Sequence, residues 1–130
     1  MALAELVTSA IHVLFAGLWT GSVVLVALTG MPEGGVGRFK LLSRTSALLL
    51  LLTGGHMAGT KYTAASLTGT TSGLAVVAMV LLWLALGGLV EVAASRYESD
   101  GPEAARSLLT VAGVVATLLL LDGGLLAAGL

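Results

Sequence analysis

Four stretches of this 130-residue sequence, near residues 4–29, 40–60, 72–95 and 105–129, stay apolar over a length that soluble domains rarely sustain. A helix needs about 20 such residues to cross the hydrocarbon core of a bilayer. Within that core every backbone polar group must be satisfied inside the segment, which a helix does and an open loop does not. Charged residues make up only 10% of the chain, against about 25% in an average soluble domain. That is too little charge to solvate a surface of this size. Eighteen glycines and only two prolines suit helices that pack closely in lipid.

The same numbers exclude whole classes of function. The net charge is −1 with no basic run, which removes nucleic acid as a partner. There is no cysteine, so disulfides, Cys-based zinc sites, iron–sulfur clusters and thiolate catalysis are excluded. Any metal would need His, Asp, Glu or Met ligands. The first apolar stretch carries Glu5, has no Lys or Arg ahead of it, and runs past Leu28. It is too long for a signal-peptide core of roughly 7–15 residues and reads as a retained first span.

Between the stretches lies loop chemistry. MPEGGVG (31–37) holds Pro32 and three glycines, GTKYTAASLTGTTSG (59–73) is small and polar, and RYESDGPE (96–103) gathers charge around Pro102. Short links favour neighbours of opposite direction, so the expected fold is an all-α membrane protein, one antiparallel up-down-up-down bundle of four transmembrane helices over residues 1–130. Arg38, Lys40, Arg44, Arg96 and Arg106 flank the first and third loops, and Lys61 alone flanks the second. The positive-inside rule then puts loops 1 and 3 in the cytoplasm and both termini outside.

Polar residues inside the spans are the candidate functional groups, because burial in lipid is costly for them. His12, His56 and Asp122 each fall roughly 8–9 Å outward of the midpoint of their own span. Both histidines of the chain and its clearest intramembrane acid are thus expected near one level. On span 1, Glu5, Thr8, His12, Phe15, Trp19 and Ser22 form a stripe. On span 2, Arg38, Leu42, Thr45, Leu49, Thr53, His56 and Thr60 form another, and both are expected to face the interior. On span 4, Asp122 lies roughly 140° round from the face shared by Thr110 and Thr117, so its phase does not clearly join the cluster.

His12, His56 and Asp122 are the candidate metal site: imidazole suits copper, zinc and iron, and a carboxylate can ligate, orient an imidazole or carry protons. The same histidines could hold haem b or another porphyrin, in a site that a chain this short would share between subunits. Each group also has a plainer reading as an interhelical hydrogen bond. Glu91 is expected to pair with Arg96, Arg44 or Arg106. Met31, Met57 and Met79 read as packing, as do Trp19 and Trp83. GLWTG (17–21) and GHMAG (55–59) are both G-x-x-x-G and permit close helix approach. No nucleophile–base pair and no phosphate loop is present, so no enzyme is expected.

HVLFAGLWTGSVVLVAL (12–28) resembles the first helix of the copper resistance protein D family, in which a His is followed by apolar residues and then W-x-G. RFKLLSRTSALLLLLTGG (38–55) is similar to the next helix of that family, with its basic R-F-x edge and closing T-G. The likeness covers the first half of the chain. A membrane protoporphyrinogen oxidase family has a similar style of first helix. The resemblance implies a plasma-membrane helical bundle that binds or helps to move copper, with His12 and Trp19 the residues carried over. This chain departs from the pattern in its four bare spans and its lack of a Met cluster or extramembrane copper domain. That departure implies a homo-oligomer or a place in a larger membrane complex. The other function expected is that of a non-catalytic membrane subunit.

Overall fold

Each apolar stretch folds as an α-helix in the computed structural model, which describes residues 2–129 and holds no strand among them. The helices are α1 (Leu3–Thr29), α2 (Val36–Lys61), a short α3 (Ala64–Gly69), α4 (Thr71–Asp100) and α5 (Pro102–Ala127). Three of them, α1, α4 and α5, are long and apolar enough to cross a membrane. Helix α2 has the length, at 26 residues, but not the apolarity. Arg38, Lys40, Arg44, His56 and a series of Ser, Thr and Gly residues dilute its leucines.

The breaks are tighter than expected. Segment 96–103 is almost all helix: α4 runs to Asp100 and α5 starts at Pro102, with Gly101 as the whole joint. Gly101 adopts φ 88°, which only glycine takes without strain, and its N–H reaches Tyr97 O at 3.0 Å. Pro102 opens α5, where a missing N–H costs nothing. The segment at 59–73 contains α3, started by a capping box between Thr63 and Ser66. Thr70 Oγ1 then caps α4 by accepting from Gly73 N at 2.9 Å.

Helix α1 packs on α2 and α5, α2 on α4, α4 on α5, and α3 on α4. Cross-contacts give the directions. His12 meets Thr53 while Trp19 meets Ser43, so α1 and α2 run oppositely. Lys40 meets Glu98, Arg44 meets Glu91 and Trp83 meets the Ala47 carbonyl, so α2 and α4 do as well. The interior is built around Trp19, Val23, Leu86 and Val90, all fully buried, against the small inward face of α5 at Ala105, Ala112, Gly113 and Ala116. A Cβ on Gly113 would lie 2.8 Å from the Ala27 Cβ, so this glycine sets the approach of α1 to α5.

The exterior is apolar where that of a water-soluble bundle is polar, and hydroxyls lie among the apolar residues inside. Thr20, Ser43, Ser46 and Thr53 are buried, while leucines and valines of all four long helices stand exposed. Helix α2 shows this most clearly. It buries Phe39, Ser43, Ser46, Leu50 and Thr53 and exposes Leu41, Leu48, Leu51 and Leu52. The expected inward stripe of α2 is therefore displaced by about one residue: of its members only Thr53 is buried, and Arg38, Thr45, His56 and Thr60 are exposed. In lipid, helices gain little hydrophobic drive to associate, and interhelical hydrogen bonds contribute about 0.6–2 kcal/mol each. Trp19 Nε1 donating to Ser43 Oγ at 2.8 Å, and Trp83 Nε1 donating to Ala47 O at 3.1 Å, are two such bonds.

Candidate functional site

Thr53 is the point from which the site is built. Its Oγ1 donates to Leu49 O, one turn back on α2, at 2.7 Å. A threonine hydroxyl has a single proton. The same oxygen lies 2.8 Å from His12 Nδ1, and with its proton on Leu49 O it accepts there from an Nδ1–H. A neutral imidazole protonated at Nδ1 has its lone pair on Nε2. That is the arrangement in which a metal-ligating histidine is normally held, with one ring nitrogen donating to a fixed acceptor and the other left for the ion. Gly54 makes room for the ring: a Cβ there would lie 3.2 Å from His12 Cε1. His12 itself is half-buried, and among the described residues nothing hydrogen-bonds to Nε2.

Asp122 is also half-buried, one turn beyond the buried Leu119 on the inward face of α5. Its Oδ2 is buried and has no hydrogen-bond partner among the described residues, a condition shared only with Ser46 Oγ. Thr110 and Thr117 do not mark the inward face. Both are exposed, and their hydroxyls bond back to Arg106 O and Gly113 O. Asp122 thus points inward where the sequence left its phase open.

His56 does not join His12. It lies one turn beyond Thr53 on α2 and is exposed. Contacts between helices give the relative heights. Trp83 meets Ala47 on α2, and Met79 Cε lies 3.8 Å from where a Cβ of Gly123 would be. Counting along the helices from these pairs, Asp122 falls roughly 9 Å from the level of His56 along the helix axes and roughly 4 Å from that of His12. Helix α5 also packs on α1 and α4 rather than beside α2. The count puts His12 and Asp122 nearer in height to each other than Asp122 is to His56. No three His, Asp or Glu side chains gather in a way that could hold a metal ion among the described residues. His12 is fixed by Thr53 and fitted against Gly54, and it belongs to no such group.

The opposite end of the molecule is tied by charge. Glu91 selects Arg44 from its three expected partners, with Nε to Oε1 at 2.8 Å and Nη2 to Oε2 at 3.0 Å. Lys40 reaches Glu98 at 2.8 Å, and Arg106 approaches Glu103 at 3.7 Å. The Lys40–Glu98 pair escaped sequence reasoning because Glu98 lay in a presumed loop. The G-x-x-x-G glycines do not mediate contacts within the chain: Cβ atoms at Gly17, Gly21, Gly55 and Gly59 would meet nothing within 4 Å.

Compared with protein-family models, curated proteins and solved structures, the chain matches none of them.

Proposed function

We propose that this chain is a multi-pass plasma-membrane protein of the copper resistance D type, non-enzymatic, that offers His12 Nε2 as an imidazole ligand to a metal ion, copper first. In this reading α2 is a fourth span, the four long helices run up-down-up-down, and both termini lie outside. The inverted face of α2 supports its place in lipid, with serines and threonine inward and leucines outward. The clustering of Arg38, Lys40, Arg44, Arg96 and Arg106 at one end supports the orientation.

The observation that carries the metal reading is the relay from His12 Nδ1 through Thr53 to Leu49 O. Because one imidazole holds such an ion weakly, the reading includes assembly, as a homo-oligomer or within a larger membrane complex, to supply the remaining ligands.

The test uses untagged protein in mild detergent, with elemental analysis, an absorbance spectrum and Cu(I) titration. The expected result is bound copper that His12→Ala abolishes and that Thr53→Val weakens about 10–100-fold, the usual effect of removing the group that orients a ligating histidine. Thr53→Ser, which keeps the acceptor, should leave affinity unchanged. A Soret band in place of copper would replace the ion with haem. No copper and no haem on wild-type protein would end the reading.

A further inference from the structure

Helices α2 and α4 do not close on one another along their whole length. Between them, on the outer face, lies a cleft of about 230 Å³. Its apolar part is formed by Ala47, the Trp83 ring and the bare backbone at Gly87 and Gly88. A Cβ on Gly88 would meet nothing within 4 Å, so this position opens into free space. The other end of the cleft is the Arg44–Glu91 pair, whose side chains are 61% and 43% exposed.

The position of that pair along α4 decides what can fill the cleft. From Leu74 to Val90 the helix carries no charge, a run of roughly 25 Å. Glu91 is the first charged residue after it. The pair therefore stands near the edge of the hydrocarbon, where long side chains reach the headgroup region, and the apolar part of the cleft runs inward from there along an acyl chain's path. Polar at the boundary and apolar toward the midplane is the profile of an amphiphile.

Charge narrows the choice. Arg44 uses two of its five N–H groups on Glu91, leaving three for another acceptor. Each Glu91 oxygen accepts one bond from Arg44 and keeps a lone pair. The exposed edge of the pair thus presents a donor array beside an acceptor. We propose that the α2–α4 cleft binds a zwitterionic glycerophospholipid with a primary ammonium, its phosphate on Arg44, its ammonium on Glu91 and one acyl chain along Gly87 and Gly88. A quaternary choline headgroup has no N–H for Glu91, and an anionic glycerol headgroup has no cation for it. The proposal rests on the membrane reading and not on His12, so either can fail alone.

The test is native mass spectrometry of delipidated protein in mild detergent. Phosphatidylethanolamine, phosphatidylcholine and phosphatidylglycerol with identical acyl chains are offered singly and in competition. The expected result is one retained phosphatidylethanolamine, preferred about tenfold, the difference one charge-assisted hydrogen bond makes. Glu91→Gln should reduce the preference to parity. Gly88→Leu, which projects into the open cleft, should remove the adduct while helix content and monodispersity stay those of wild type. Equal retention of the three lipids, no retained lipid, an adduct indifferent to Gly88→Leu, or a second copy of the chain in place of lipid would each overturn the proposal.

Discussion

Trp19 is fully enclosed, yet it carries an N–H that has to be answered, and Ser43 answers it at 2.8 Å. Trp19→Phe keeps most of the volume and removes the donor. Thermal unfolding in detergent should show a loss of about 0.6–2 kcal/mol, in the range for such bonds between membrane helices. Glycines are just as discriminating. Gly113→Ala drives a Cβ to 2.8 Å from Ala27 and should cost about 1–3 kcal/mol by overpacking. Gly17→Ala enters open space and should be neutral or stabilising by up to about 1 kcal/mol. The reverse order of those two variants would show that α1 and α5 do not meet as described. The sequence made the glycines conspicuous in the wrong place: a G-x-x-x-G spacing shows that two helices can approach, not which helices are there.

At the level of elements, the legibility of the sequence followed how many solutions each helix allowed. Helix α1 has one inward stripe with a Trp and a His in it, and Phe15, Trp19 and His12 do turn inward. Helix α2 has two polar stripes one residue apart, and composition alone does not choose between them. The indole of Trp19 chooses, by requiring Ser43, and Thr53 belongs to both. Helix α5 misled in another way. A threonine in a helix can satisfy its hydroxyl on the carbonyl four residues back, so Thr110 and Thr117 face outward without penalty and are poor markers of the interior. The relative heights of His12, His56 and Asp122 were beyond reach, since they depend on how neighbouring helices slide along one another.

The same stripe assignment yields a test for α2. The chain has no cysteine, so a single introduced cysteine carries a spin label without competition. In bilayers, labels at Leu48→Cys and Leu51→Cys should be accessible to dissolved oxygen and shielded from a water-soluble nickel complex, and a label at Thr60→Cys should show the opposite. Water-type accessibility at Leu48 and Leu51 would remove α2 from the membrane and leave three spans.

For the whole molecule, the proposed direction across the bilayer rests on its uneven charge. Five of the six Lys and Arg residues lie at the end that holds the Lys40–Glu98, Arg44–Glu91 and Arg106–Glu103 contacts. An impermeant maleimide should therefore label Ser66→Cys, in α3, on intact cells and Ser99→Cys, near the end of α4, only after lysis. Labelling of Ser99→Cys on intact cells would invert the topology and place His12 on the cytoplasmic side. The apolar exterior, with leucines outside on all four long helices and a few hydroxyls within an apolar core, is a property of the entire molecule.

The most direct measurement of the metal reading is ¹⁵N NMR of histidine-labelled protein in lipid nanodiscs at neutral pH, with His56→Ala to leave His12 as the sole signal. His12 should appear as the neutral Nδ1–H tautomer with a bare Nε2, and Cu(I) should shift Nε2 while the Nδ1 proton stays. A proton on Nε2, or a spectrum that neither Cu(I) nor haem perturbs, would contradict it and leave His12 as a bond between two helices.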